Sequence, residues 1–157
     1  MISSEKKCLT LAPFLTPGRV GLLETPDKKQ SLNRMIDFFS GIPGIPDRRE
    51  IGGAVFEREK IMSTGIGFGI GVPHCRLERV SGVFMAFGLC RTPVRDYPAI
   101  DDVPVRIIAM ILAGTEQNEG YNQALSRLSA FLDNEARREA LLKVQTREEL
   151  ISLLPLD

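Results

Sequence analysis

The sequence contains no tryptophan and one histidine, His74, among 157 residues, and its 20 basic side chains are matched by 20 acidic ones. A net charge of zero gives no electrostatic case for a nucleic acid or an anionic membrane as partner. Cysteine is sparse: Cys8, Cys75 and Cys90 are scattered with no CxxC pair. With one histidine beside them they do not compose a structural zinc site, and no metal or other cofactor is expected. They read as reduced thiols of a cytoplasmic protein. No apolar run approaches the roughly 20 residues of a membrane span, so no membrane insertion is expected. Met1 to Leu15 carries Lys6 and Lys7, but its apolar part is broken by Thr10 and Pro13 and makes a poor signal peptide. The remaining composition, 43% apolar and 25% charged, suits one domain over residues 1–157 with a core of its own.

One stretch stands out, from Arg58 to Arg76. Gly65, Gly67, Gly69 and Gly71 alternate there with Ile66, Phe68, Ile70 and Val72, and the run ends in Pro73-His74. In an extended segment alternate residues point to opposite faces. The pattern therefore predicts one stiff strand, buried on its apolar face and bare on its glycine face, with His74 at its end. A bare backbone lets a partner come close, which makes Gly67 and Gly69 candidates for partner docking.

Around this stretch the chain alternates helix and strand signals. Val20–Leu23 reads as a short extended piece. Thr25-Pro26 predicts a helix start, with Leu32, Met35, Ile36 and Phe39 at helical spacing. Asp47 and Glu50 resemble a capping box before a helix carrying Ile51, Ala54, Val55 and Arg58. Val83–Leu89 is a strand candidate, residues 92–102 a loop or short edge piece, and Val105–Leu112 a strand buried on both faces. A turn over 114–120 leads to a helix with Ala124, Leu125, Leu128, Phe131 and Leu132 on one stripe. Asp133 or Asn134 caps the next helix, and Thr146 with Glu149 caps the last. This order predicts a sheet covered by helices on both sides.

Two nucleotide-binding signatures are excluded. G-x-G-x-x-G fails because Ile70 and Val72 stand where its third glycine belongs, and no Gly-Lys-Ser/Thr closes a Walker loop. His74 is different. A lone histidine is commonly a hydrogen-bonded structural residue, yet imidazole is also a nucleophile and proton carrier at neutral pH. Ser63 and Thr64 supply hydroxyls nearby, and Arg58 and Arg76 can each grip a phosphate through two N–H groups. Phosphoryl transfer needs positioning and charge stabilisation, which such a set can supply.

The run Arg58-Glu59-Lys60, then Ser63-Thr64-Gly65-Ile66-Gly67-x-Gly69-Ile70-x-Val72-Pro73-His74-x-Arg76, resembles the phosphorylation-site motif of enzyme IIA components of the bacterial phosphoenolpyruvate-dependent phosphotransferase system. The likeness is to the mannitol/fructose type, which includes the nitrogen-regulatory branch. Tyr97-Pro98-Ala99-Ile100-Asp101-Asp102-Val103-Pro104-Val105 is similar to the family's Phe-x-Ala-x-Asp-Gly-x-Pro-Val segment. The stretch from Leu125 to Leu132 and the closing Thr146-x-Glu148-Glu149-Leu150 also fit, so the likeness runs from about Leu9 to Leu154.

The resemblance implies an α+β fold, a three-layer α/β/α sandwich around a mixed sheet. It implies that His74 accepts a phosphoryl group from a small phosphocarrier protein loaded through enzyme I. Arg58 would steady the phosphohistidine, with Ser63 and Thr64 beside it. The group would pass to an enzyme IIB domain, or its presence would be read by regulatory partners. One departure concerns the second histidine that many members carry at the start of the third helix. Here Glu119-Gly120-Tyr121-Asn122 occupies that stretch, so Tyr121 stands in for it. Arg76 is a candidate phosphate or partner contact. Cys75 admits two readings, a redox brake on His74 or a passive small side chain. The absence of a fused IIB or IIC segment and the Ser-Thr-Gly-Ile-Gly run favour the regulatory branch over a sugar-specific enzyme IIA or a non-catalytic binding module.

Overall fold

The computed structural model describes residues 10–157; Cys8 and the Met1–Leu9 part of the leader reading lie outside them. Among the described residues no helix is long and apolar enough to cross a membrane. The strands are β1 (Val20–Leu23), β2 (Gly65–Gly67), β3 (Ile70–Gly71), β4 (His74–Leu77), β5 (Val83–Val94) and β6 (Val105–Gly114). The helices are α1 (Lys28–Asp37), α2 (Arg48–Ile61), α3 (Asn118–Leu132), α4 (Glu135–Leu142) and α5 (Arg147–Leu153).

β6 is the centre of a 6-stranded mixed sheet ordered β1-β5-β6-β3-β2, with β4 also on β6. β5 pairs antiparallel along one edge of β6. The other edge is shared in parallel: Ile70 and Gly71 lie beside Ile107 and Ile108, and His74 to Leu77 lie beside Ile111 to Gly114. The interruption falls at Val72-Pro73. Proline has no N–H to give a ladder, but its carbonyl still accepts from the Ile111 amide at 3.0 Å.

Side-chain alternation splits the core in two. Ile107, Ala109 and Ile111 of β6, with Met85, Phe87 and Leu89 of β5, meet Ala124, Leu128, Phe131, Leu132, Leu141 and Leu150 of α3–α5. Ile108, Met110 and Leu112, with Ala86 and Cys90, meet Leu32, Met35, Ile36, Ile51 and Val55 of α1 and α2. The result is the expected α/β/α sandwich. Each large side chain fully buried in it contributes roughly 1.5–3 kcal/mol.

Several helix starts lie where the sequence predicts them. Asp47 accepts from the Glu50 amide, Asn134 from Arg137 and Thr146 from Glu149. The first helix starts later than expected. Asp27 is its cap, accepting from Gln30 at 2.9 Å, while the Thr25 hydroxyl accepts from the Asp27 amide. β5 runs five residues past the predicted Leu89, to Val94.

The main correction concerns the glycine run. It is not one strand but the hairpin β2–β3, paired antiparallel, followed by β4. Phe68 (φ 57) and Gly69 (φ 75) turn the chain in the left-handed region, where a run of alternating side chains cannot continue. Ile70 and Val72 are buried as predicted, whereas Ile66 (51%) and Phe68 (68%) are exposed.

Close approach of helix to sheet uses Gly88 of β5. A Cβ there would lie 2.7 Å from Met35 Sδ and 3.1 Å from Leu23 Cδ1. Gly88→Ala should therefore overpack this layer and cost about 1–3 kcal/mol. Urea denaturation will read this as a lower midpoint at unchanged slope; an unmoved midpoint would mean that Met35 gives way freely.

Candidate functional site

His74 opens β4 immediately after the break at Pro73. Its Nδ1 lies 3.0 Å from the Val72 carbonyl oxygen. A carbonyl only accepts, so Nδ1 carries the proton and Nε2 is the ring nitrogen left with a lone pair. The imidazole lines a cleft of about 900 Å³ shared with Arg58, Ser63, Thr64 and Tyr121. Ile66, Phe68, Ile70 and Val72 of the hairpin form one wall, and Leu125, Leu128 and Leu132 of α3 form another.

Arg58 comes from the last turn of α2, and its Nη1 donates to the Met62 carbonyl at 2.8 Å. Tyr121, in the first turns of α3, meets the His74 ring edge-on, with centroids 5.9 Å apart and planes at 60°. The Arg76 guanidinium lies 4.8 Å from the Tyr121 ring centroid. Burial raises the Tyr121 pKa, and the nearby Arg76 and Arg58 charges pull partly against that rise. The phenol is therefore neutral and can donate near neutral pH.

The other expected site residues serve the chain itself. Arg76 donates to the Gly114 and Thr115 carbonyls and to Asn118 Oδ1, tying β4 to the start of α3. In this structure these bonds and the stacking on Tyr121 make Arg76 a brace between β4 and α3. Ser63 donates its hydroxyl proton to the Pro98 carbonyl at 2.6 Å. Thr64 faces Glu59 Oε1 at 3.0 Å and the Tyr97 hydroxyl at 2.5 Å. Because a carboxylate oxygen accepts, Thr64 donates to Glu59 and Tyr97 donates to Thr64. Neither hydroxyl proton points to a ligand in this conformation.

The glycine face is covered rather than bare. A Cβ on Gly71 would meet the Tyr97 ring at 2.8 Å, one on Gly65 the Pro98 carbonyl at 2.3 Å, and ones on Gly67 and Gly69 Asp101 Oδ2 and the Pro104 carbonyl at 3.2 Å. The docking role expected of Gly67 and Gly69 is thus corrected: the segment 97–104 fills the space that they leave. The exposed apolar groups are instead Met62 (69%), Ile66, Phe68 and Ile100 (89%), which line the cleft. Composition alone could not find this rim, since it depends on where the hairpin turns. Cys75 is buried, and burial pushes its thiol pKa up to about 12. The reactive form is the thiolate, so the redox reading gives way to the passive one.

Asp101 holds the hairpin tip. Its Oδ2 accepts from the Phe68 amide at 2.8 Å and its Oδ1 from Val103 at 3.1 Å. These amides, Phe68 first, lower the carboxyl pKa. Asp102 adopts φ 58 at the place of the glycine in the similar segment quoted above, and aspartate tolerates that geometry better than most side chains.

Residues 14–155 match the family described as "Phosphoenolpyruvate-dependent sugar phosphotransferase system, EIIA 2". The chain belongs to that family of phosphotransfer components. It is 33% identical to a PTS system fructose-specific EIIA component of Haloferax volcanii over 142 residues, 89% of this chain and 92% of that one. A nitrogen regulatory protein of Pseudomonas aeruginosa is 31% identical over 148 residues, 93% of this chain and 95% of that one. The PTS system fructose-specific EIIABC component of Bacillus subtilis is 32% identical over 93% of this chain, which spans only 23% of that protein. Nitrogen regulatory protein IIA-Ntr from Neisseria meningitidis superposes with a TM-score of 0.81 at 26% identity, covering 91% of this chain and 97% of that one. Escherichia coli enzyme IIA mannitol, solved in complex with phosphorylated enzyme IIB mannitol, shares the fold with a TM-score of 0.73 at 22% identity, covering 89% of this chain and 97% of that one.

Asp101 supplies a pH test. Its folded pKa is depressed, so its contribution to the hairpin is complete above the unfolded aspartate value of about 3.9 and is lost as pH falls through the folded value. The Phe68 amide resonance should titrate with a midpoint below about 3.9. Asp101→Asn should abolish that titration; its persistence would place the controlling group elsewhere.

Proposed function

We propose that this chain is a phosphoryl carrier of the phosphotransferase system that accepts the group on Nε2 of His74 from a phosphocarrier protein. The observation carrying this reading is the Nδ1 contact with the Val72 carbonyl, which fixes the tautomer and leaves Nε2 as nucleophile. A bond forms between Nε2 and phosphorus as the bond from phosphorus to the donor breaks. The Nδ1 proton stays on the ring, and the Val72 carbonyl stabilises the imidazolium character that develops. Arg58, in the same cleft, offsets the charge on the equatorial oxygens. The apolar rim of Met62, Ile66, Phe68 and Ile100 suits a protein as donor.

The reading includes a regulatory output of the nitrogen type. Tyr121 can give the phosphoryl group one hydrogen bond from a neutral donor, worth about 1.5–3 kcal/mol because the acceptor is charged, but it brings no positive charge of its own. A site without a second imidazolium suits a signal better than high flux, and a nitrogen regulatory protein is among the relatives. The second reading, a sugar-specific enzyme IIA passing the group to an enzyme IIB domain, draws on the fructose-specific relatives.

Incubation with phosphoenolpyruvate, enzyme I and carrier should label the wild type with an acid-labile, hydroxylamine-sensitive phosphate and leave His74→Ala unlabelled. An acid-stable label, or a labelled His74→Ala, would sink the proposal, and no label at all would favour a binding module. Arg58→Ala should slow labelling about a hundred- to a thousandfold, the usual cost of one preorganised donor, with the fold intact by circular dichroism.

In single-turnover transfer from the loaded carrier, Tyr121→His should be faster than wild type. Tyr121→Phe should be slower by about ten- to 150-fold, the loss of one hydrogen bond to a charged acceptor. Equal rates for the three proteins would remove Tyr121 from the reaction.

A further inference from the structure

We propose that Glu59 is a positioning residue of the phosphoryl site and acts through Arg58; this rests on the roles given to His74 and Arg58 above. Glu59 neighbours Arg58 in the last turn of α2, yet its side chain is only 6% exposed. Its Oε1 takes Lys28 Nζ at 3.1 Å, Thr64 Oγ1 at 3.0 Å and the Thr64 amide at 3.4 Å. Its Oε2 is buried with no hydrogen-bond partner among the described residues. Lys28 is itself held 4.5 Å from the Tyr97 ring centroid, and the Tyr97 hydroxyl completes the group on Thr64.

Such a carboxylate is a poor way to stabilise a fold. An orphaned buried oxygen is costly, and apolar side chains of similar volume commonly do as well as a buried ion pair. What the arrangement does provide is direction. The two bonds from Thr64 close the chain between residues 59 and 64 into a fixed loop. Within that loop lies Met62, whose carbonyl takes the Arg58 Nη1. The loop that Glu59 closes is therefore the one that aims Arg58. Without it, the Met62 carbonyl shifts and the guanidinium loses its fixed direction in the cleft. Thr64 belongs to this device, which accounts for a hydroxyl turned away from His74.

The test is single-turnover phosphorylation from the loaded carrier, set in a double-mutant cycle. Glu59→Gln keeps the shape but loses the charge that holds Lys28. It should slow transfer by up to about a hundredfold, the scale of a misplaced group, with the dissociation constant for the carrier unchanged. Added to Arg58→Ala, it should cause no further loss. Multiplying losses would overturn the proposal, as would an unchanged rate in Glu59→Gln or an unimpaired Arg58→Ala. If Glu59→Gln fails to fold by circular dichroism, Thr64→Val decides by the same cycle, since it removes the hydroxyl and keeps the Glu59–Lys28 pair. A wild type that takes no label fails at the function itself, whereas a labelled wild type with additive mutants fails only here.

Discussion

The architecture depends on how the two edges of β6 are satisfied. Every buried N–H and C=O of a central strand needs a partner. On one side β5 supplies them in a single long antiparallel ladder. On the other side no one strand does. β3 pairs with the first part, β4 with the second, and the chain between them passes through Val72 and Pro73. The functional candidates gather at that interruption. The Val72 carbonyl is free of the ladder there and takes the imidazole Nδ1, while the Pro73 carbonyl still serves Ile111. Successive carbonyls of an extended chain point to opposite edges, so that of Pro73 faces β6 while that of Val72 faces away from it, and this outward carbonyl specifies the His74 tautomer.

Holding β3 in place requires the hairpin, which is strained where it turns. Phe68 sits at positive φ without being glycine, at a cost of roughly 1–2 kcal/mol. The strain is offset locally. Asp101 takes the Phe68 amide, the Tyr97 ring fills the space over Gly71, and the Arg138 guanidinium lies 4.7 Å from the Phe68 ring centroid. The segment 97–104 thus works as a template for the hairpin. Its contacts keep the apolar faces of Ile66 and Phe68 turned outward beside the cleft, where burial would otherwise draw them in.

Charge at the cleft is arranged with equal economy. Arg58 and Arg138 both line the cleft, while Arg76 is drawn aside to brace α3 and the Tyr121 ring. The nearest carboxylate in sequence, Glu59, is withdrawn behind the loop and answered by Lys28. The cleft lining thus carries two guanidiniums, a neutral phenol and the Asp133 side chain, with the Glu59 charge buried behind the loop.

Local physics was legible in the sequence. The caps at Asp47, Asn134 and Thr146 need only a side-chain oxygen two or three residues from an orphan amide, and the β6 strand needs only an unbroken apolar run. The α/β/α layering followed from the alternation of such elements, and the motif around His74 marked the candidate site. The hairpin was not legible, because alternation of glycine and apolar residues fits a strand until something long-range turns Phe68 and Gly69 to positive φ. That something is Asp101, 33 residues away along the chain. The same limit applies to side-chain direction. Sequence brings Arg58, Ser63, Thr64 and Arg76 near His74 but cannot say which way each points. Tertiary packing decided that, since the Ser63, Thr64 and Arg76 donors are taken up by Pro98, Glu59, Gly114, Thr115 and Asn118. The identity of the candidate imidazole was thus set by the sequence, which holds one histidine, while its tautomer was set by which backbone carbonyl the sheet left to it.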